Sequence, residues 1–147
     1  MTDRIEEARQ NRAGLRAAVG QVERSLSSAA RGRVKAWSVE LHEKLTELSE
    51  ALEQHIEATE APDGLLADIA TSAPRLAHRV EKTRADHTVL RSAVAAALEA
   101  LPDDDQDEAV PEARNRAVEL LTAVVHHRHL GADLVYEAYN VDIEASD

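Results

Sequence analysis

Three histidines of this sequence, His55, His87 and His127, occupy positions where leucine or valine would be expected. Each lies in a stretch whose apolar residues recur at alternating steps of three and four, which is the spacing of a core-facing helix stripe. A histidine in such a stripe faces other helices rather than water. Three of them at one level predict a polar layer or a metal site, because imidazole binds zinc, iron, copper and nickel.

The stripes that carry these histidines can be read directly from the sequence. They are Leu41, Leu45, Leu48, Leu52, His55, Thr59; then Leu76, Val80, Thr83, His87, Leu90, Val94; and then Ala117, Leu120, Val124, His127, Gly131, Leu134. An earlier stripe comprises Ala8, Asn11, Leu15, Ala18, Val22 and Leu26. Counting at about 1.5 Å per residue from the intervening turns puts Asn11 level with His55, and His87 level with His127, to within roughly one turn. The short piece after Pro62 makes the count between the two pairs less exact. We therefore predict one layer with one of these residues from each helix.

Four long helices are needed to position this layer. The sequence predicts them near 3–30, 33–60, 74–101 and 111–139, with a short helical piece at Leu65–Ala70. Glycine and proline signals separate them, among them Gly32 and the Pro62–Gly64 turn. Helices of similar length with short connections predict an all-α fold, an antiparallel up-down-up-down four-helix bundle. We expect one domain over 1–147, with a short polar tail at 140–147.

Composition narrows the possible functions. The 147 residues include 17 Lys and Arg against 28 Asp and Glu, a net charge of −11 that disfavours binding to nucleic acid. No apolar run approaches the length of about 18 residues that a membrane span needs. The N-terminus lacks the apolar core of a signal peptide, so the expected location is the cytoplasm. Cysteine is absent, which leaves His, Asp and Glu as the strong metal ligands.

The predicted layer has no carboxylate on its own stripes. Thr59, Thr83 and Gly131 lie one turn from the three histidines, and Glu60 is expected to point away from the stripe of His55. Three alternatives remain open at this stage: a metal-free hydrogen-bonded layer, a site for one ion, or a site for two. No general base is visible beside the histidines and no nucleophile motif occurs, so we do not expect an enzyme.

Three segments carry a resemblance to a known family: EQHIEATE around His55, RADHTVL around His87 and HHRHLGADLVYEAYNVDI around His127. With the four-helix layout, they resemble the hemerythrin-like domains of the HHE cation-binding type, over residues 3–143. The last segment is the most specific, since bacterial hemerythrin-like sequences often carry a similar His-Arg-x-x-Gly-Ala-Asp-Leu stretch. The resemblance implies an up-down four-helix bundle with a non-haem di-iron site that binds O2 or senses oxygen or iron.

The resemblance to the family's ligand set is incomplete. The positions that match it hold His55, His87 and His127. The positions that depart from it hold Asn11 for a histidine, Thr59 for a glutamate, Thr83 for a histidine, and Gly131 near a closing carboxylate. Without these carboxylates, the bridges that hold two irons together are missing.

The sequence therefore predicts a hemerythrin-like bundle with a degenerate metal site on His55, His87 and His127. Its expected content is iron, zinc or no metal at all, and O2 is the small molecule that the resemblance implies. The alternative is a metal-free structural or protein-interaction module that has lost the di-iron site. The sequence names neither a protein partner nor an oligomeric state.

Overall fold

Five α-helices make up the described part of the chain, which comprises residues 2–141 and residue 143 of a computed structural model. In chain order they are α1 (Thr2–Ser27), α2 (Val34–Glu60), α3 (Leu65–Ser72), α4 (Ala77–Glu99) and α5 (Val110–Tyr139). Single 3₁₀ turns at Pro74–Leu76 and Asp107–Ala109 lead into α4 and α5. No strand occurs among these residues, so the predicted all-α fold with four long helices is confirmed.

The end of α1 differs from the prediction for a physical reason. The helix stops at Ser27 rather than near Ala30. The guanidinium of Arg114, from α5, donates hydrogen bonds to the carbonyl oxygens of Leu26 and Ser28. A continuing helix would bond such carbonyls to its own amides, so a distant side chain replaces the next turn. The other predicted bounds of the long helices agree to within about one turn.

Two apolar clusters fill the interior. The large cluster draws on α1, α2, α4 and α5 around a leucine row on α2, and Leu41, Leu45 and Leu48 of that row are completely buried. The second cluster joins α3 to the beginnings of α1 and α4 and to the end of α5. Its members include Ile5, Leu66, Ile69, Val80, Leu134 and Ile143.

The candidate site lies at the boundary between the two clusters. On α4 the stripe passes from Val80 in the second cluster, through Thr83 and His87, to Leu90 in the large cluster. Each apolar cluster therefore excludes water from one side of the histidine level. A polar layer in this position must satisfy its hydrogen bonds from within the helices or from a ligand.

The loop between α4 and α5 is hydrogen-bonded to the start of α2. A carboxylate oxygen of Asp105 accepts a hydrogen bond from the backbone amide of Lys35 at 2.8 Å, which caps the first turn of α2. The hydroxyl of Ser38 donates to the carbonyl oxygen of Pro102 at 2.8 Å. These bonds tie the start of α2 to the loop that follows α4, and they help to fix the register of the two helices.

Two sequence predictions concern the surface and the end of the chain. Within the described residues, none of the helices is both long enough and apolar enough to traverse a bilayer. Of the polar tail predicted at 140–147, residues 142 and 144–147 lie outside the described residues. Ile143 is buried in the second cluster, so this part of the segment contributes to the core beside the site.

The leucine row of α2 generates a stability prediction. Leu45→Ala removes a completely buried side chain from the large cluster, and we expect a loss of about 2–5 kcal/mol in the free energy of unfolding. Val39→Ala, on the same helix but 61 % exposed, should change it by less than about 0.5 kcal/mol. Urea denaturation followed by circular dichroism measures both. Equal effects of the two substitutions would contradict the assignment of the core.

Candidate metal centre

The three histidines of the predicted site converge in the structure. His55 comes from α2, His87 from α4 and His127 from α5, and each offers one ring nitrogen, all within 4.8 Å of one another. His87 is 1 % exposed and His127 is 2 % exposed, whereas His55 is only half-buried. The predicted convergence is confirmed, and the site is more accessible on the side of His55. Among the described residues, no other group of three metal-ligating side chains comes together.

The ring geometry suits a shared ligand. The Nε2 atoms of His55 and His127 lie 3.2 Å apart. Two nitrogen ligands of a tetrahedral ion, each about 2.1 Å from it, are separated by roughly 3.4 Å. The ring centroid of His87 lies 4.9 Å from that of His127 and 5.6 Å from that of His55, so the third ring completes a compact triangle. Two of the three donors are therefore at the separation that a single ion requires, and the third lies within 4.8 Å of both.

The first helix contributes an arginine to this level instead of the expected Asn11. Arg12 is 5 % exposed and borders the same cavity as His55, and its Nη1 donates to the carbonyl oxygen of Arg128 at 2.9 Å. Asn11 is half-buried and lines a separate small crevice near the end of α2. The prediction for Asn11 was wrong because the buried stripe of α1 steps by four residues from Ala8 to Arg12, where a step of three to Asn11 was expected. A long side chain can cover apolar surface with its stem while its head reaches a carbonyl.

Two carboxylates contact the site from the outer side of the imidazoles. Asp86 of α4 bonds Nδ1 of His127 through Oδ2 at 2.7 Å, and Glu60 of α2 bonds Nδ1 of His87 through Oε2. The expectation that the layer lacks carboxylates was therefore wrong, because both carboxylates reach it from a neighbouring helix. Glu60 does leave the stripe of its own helix, and it thereby reaches a histidine on the neighbouring helix.

Spacing along one helix could not reveal these two contacts, because each joins two helices. The sequence does contain one signal that could have predicted these contacts, which is that each carboxylate lies next to a core stripe. Asp86 directly precedes His87, and Glu60 directly follows Thr59, so both stand at a boundary between helix faces. A carboxylate there can reach a neighbouring helix that presents a buried histidine.

Burial disfavours the protonated form of two of the imidazoles, those of His55 and His127. Burial lowers the pKa of His55 to about 3, with further lowering from His127, His87 and Arg12. Burial also lowers the pKa of His127, although the hydrogen bond to Asp86 acts in the opposite direction. A metal ion binds the neutral ring, so protons compete weakly for His55 and His127 near neutral pH.

Two ring nitrogens of the three histidines have no hydrogen-bond partner among the described residues. They are Nδ1 of His55 and Nε2 of His87, and both are buried. Leaving a buried polar group unsatisfied costs about 1–3 kcal/mol. The layer thus retains binding capacity that the side chains around it do not use.

A cavity of about 40 Å³ adjoins His55 and His127 on the side of the second cluster. It can hold roughly three water-sized molecules. Most of its walls are apolar, and its lining includes Leu15, Leu65, Leu66, Ile69, Leu134 and Val135. Thr59 and Thr83 also border it, and their hydroxyls each donate at 2.9 Å to the carbonyl oxygen four residues earlier. The cavity therefore offers space beside the histidines and few free hydrogen-bond donors.

The positions that depart from the hemerythrin-like ligand pattern surround this cavity. Thr59, Thr83 and Gly131 all line it. A carbon placed at the Cβ position of Gly131 would meet no atom within 4 Å. Short side chains therefore leave space where the resemblance would put the ligands of a second ion.

Comparison of the chain with known protein families, with curated proteins and with solved structures finds no match. The hemerythrin-like resemblance thus stays a prediction from the sequence. The geometry of the site stands independently of it.

The lowered pKa of His55 predicts how stability depends on pH. Because the pKa is about 3 in the folded chain, against an ordinary value of 6.5 for an unperturbed histidine, the unfolded chain binds more protons between these values. The free energy of unfolding of the metal-free protein should then fall as the pH is lowered from about 6.5. The slope attributable to this histidine approaches roughly 1.4 kcal/mol per pH unit.

Urea denaturation between about pH 7.5 and pH 5 measures this slope. His55→Leu should reduce this slope by up to about 1.4 kcal/mol per pH unit. Val39→Ala, which alters an exposed residue without a titratable group, should leave the slope unchanged. An identical slope in wild type and His55→Leu would show that His55 titrates normally.

Proposed function

We propose that this protein binds one transition-metal ion on His55, His87 and His127, as a hemerythrin-like bundle whose site has lost its second ion. The observation that carries the proposal is the approach of three imidazole nitrogens, from three helices, to within 4.8 Å of one another. A set of neutral nitrogen donors suits zinc or ferrous iron, and cobalt, nickel and copper bind the same donors. Three protein ligands leave a coordination position for an exogenous ligand.

A single ion is favoured over two by the side chains around the cavity. The nearby carboxylates, Glu60 and Asp86, already bond the Nδ1 atoms of His87 and His127. Thr59 and Thr83 use their hydroxyl protons on the backbone of their own helices. The described residues that line the cavity accordingly include none of the bridging carboxylates that a two-iron centre needs.

The proposal includes an antiparallel up-down-up-down course for the four long helices. Two contacts between α1 and α5 support it: Arg12 bonds Arg128, whereas Leu26, farther along α1, bonds Arg114, which is earlier in α5. The same reversed order holds for α2 against α4 in the pairs Glu53–Arg91 and Glu60–His87. Short connections between successive helices are typical of this topology.

We infer a non-catalytic role in which the ion, or O2 bound to it, is the ligand that the protein handles. The mostly apolar cavity beside the histidines supports a small uncharged ligand, and the family resemblance supports O2 or iron. This role needs no general base at the open position, and we assign no reaction to the site.

A metal-free structural layer is the second candidate. It is favoured by the 3.2 Å contact between the Nε2 atoms of His55 and His127, which is a hydrogen bond when one of them carries a proton. Together with the bonds to Asp86 and Glu60, it satisfies part of the layer without an ion. In that case the chain would act as a scaffold or as an interaction module.

Metal content separates the two candidates. Protein purified without a histidine tag and loaded anaerobically with ferrous iron or with zinc should contain about one ion per chain, measured by elemental analysis. Two irons per chain with an oxygen-sensitive near-ultraviolet band would contradict the single-ion site. No bound metal after both loadings would favour the metal-free layer.

Replacement of all three histidines by leucine gives a matched test of coupling to stability. The metal-free triple variant should be at least as stable as wild type, because apolar residues often replace a buried polar cluster at little cost. Zinc at about a hundred times its dissociation constant should stabilise wild type by about 2.7 kcal/mol and the variant not at all. Thermal denaturation with and without zinc measures both effects. Equal stabilisation of both proteins would mean that zinc binds elsewhere.

A further inference from the structure

A neutral imidazole can carry its proton on either ring nitrogen. The hydrogen bonds that His87 and His127 make to Glu60 and Asp86 determine which nitrogen it is. We propose that these two carboxylates are positioning residues: they hold the protons of His87 and His127 on Nδ1 and leave both Nε2 lone pairs directed into the space between the helices. The use of those lone pairs for an ion rests on the proposed function. The placement of the protons does not, because it follows from contacts within the chain.

The assignment is clearest for His127. Its Nδ1 lies 2.7 Å from Oδ2 of Asp86, and its Nε2 lies 3.2 Å from Nε2 of His55. An ionised carboxylate only accepts hydrogen bonds, so Nδ1 of His127 must donate. A neutral ring carries one proton, and Nε2 of His127 is therefore left with a lone pair that faces His55.

The same reasoning applies to His87 with a second observation. Its Nδ1 bonds Glu60, and its Nε2 is buried with no partner among the described residues. If the proton were on Nε2, a lone pair would face the carboxylate and a buried N–H would have no acceptor. Both consequences are unfavourable, so the proton belongs on Nδ1 and the Nε2 lone pair is free for a ligand.

His55 differs from the other two rings. No carboxylate contacts it among the described residues, and its Nδ1 is buried without a partner. Since Nε2 of His127 has no proton in this assignment, the 3.2 Å contact requires His55 to donate from Nε2. Two nitrogens are thus preset for an ion, whereas His55 must first move its proton to Nδ1 before its Nε2 can bind.

The two carboxylates are placed so that they can fulfil this role without being buried themselves. The side chain of Glu60 is 30 % exposed and that of Asp86 is 22 % exposed, whereas their histidine partners are almost fully buried. Each carboxylate keeps contact with water, which avoids the cost of a fully desolvated charge. Helix α4 supplies Asp86 to one neighbour and receives Glu60 from another, so the proton positions of two rings depend on three helices.

Nuclear magnetic resonance of the metal-free protein tests the proton positions directly. Long-range proton–nitrogen correlations distinguish the two neutral forms of each ring, with signals assigned from single His→Gln variants. We expect the proton on Nδ1 in His87 and His127 and on Nε2 in His55. A proton on Nε2 of His87 or His127 in the wild-type chain would overturn the proposal.

Removal of each carboxylate tests the consequence for binding. Asp86→Ala and Glu60→Ala should each shift the partner ring toward the other neutral form and weaken Zn²⁺ binding about 10–100-fold. Matched controls are Glu81→Ala on α4 and Glu47→Ala on α2, whose carboxylates pair with Arg84 and Lys44 at the surface. The controls should bind Zn²⁺ within about twofold of wild type, as measured by calorimetry in competition with a chelator.

The two readouts separate failure of this inference from failure of the proposed function. Unchanged ring forms and unchanged Zn²⁺ affinity in both alanine variants would overturn the positioning role while the metal site stands. Absence of Zn²⁺ binding by the wild-type protein would overturn the metal site. In that case the nuclear magnetic resonance experiment alone still decides whether Glu60 and Asp86 set the proton positions.

Discussion

A polar layer between two apolar clusters is the constraint around which this molecule is built. Each buried neutral imidazole has one N–H donor and one lone pair. Neither water nor the backbone of its own helix can pair with these groups, so other side chains or a ligand must do so. Here the N–H groups of two rings turn outward to carboxylates near the surface, and the lone pairs turn inward. This division lets the interior stay uncharged while the charges remain hydrated. The helices on both sides must keep their register for it to work, so packing and polar satisfaction depend on each other.

The sequence was sufficient for the parts of the structure that depend on one helix at a time. Alternating three- and four-residue steps placed the buried leucines of α2, and the same stripes located His55, His87 and His127. The sequence failed where the determining contact joins two helices. Asn11 was predicted in place of Arg12 because a stripe locates a buried position only to within about one residue. A charged side chain was also not expected in the core. It missed Glu60 and Asp86 because their partners lie on neighbouring helices.

Three of the residues that depart from the family's ligand pattern also line part of the cavity. Thr59, Thr83 and Gly131 were noted in the sequence as departures from a ligand pattern, and in the structure they surround one space. If the resemblance holds, the replacement of a ligand here would be a geometric change as well as a chemical one, since the shorter side chain leaves room. What remains is an asymmetric site, with donors on one side and a mostly apolar wall on the other. Such a wall favours small uncharged ligands over large or ionic ones.

The chain order of the three histidines has a consequence for how the protein is made. The ligands come from α2, α4 and α5, and no short segment contains even two of them. A ribosome that has delivered α1 to α4 has produced two of the three rings but not the helix that closes the layer. The carbonyl oxygen of Leu26 at the end of α1 also gains its hydrogen bond only when α5 has formed, because the donor, Arg114, lies on α5. Closure of the fold and completion of the histidine triad thus coincide in a single late step, so anything that binds all three rings can bind only after α5 has packed.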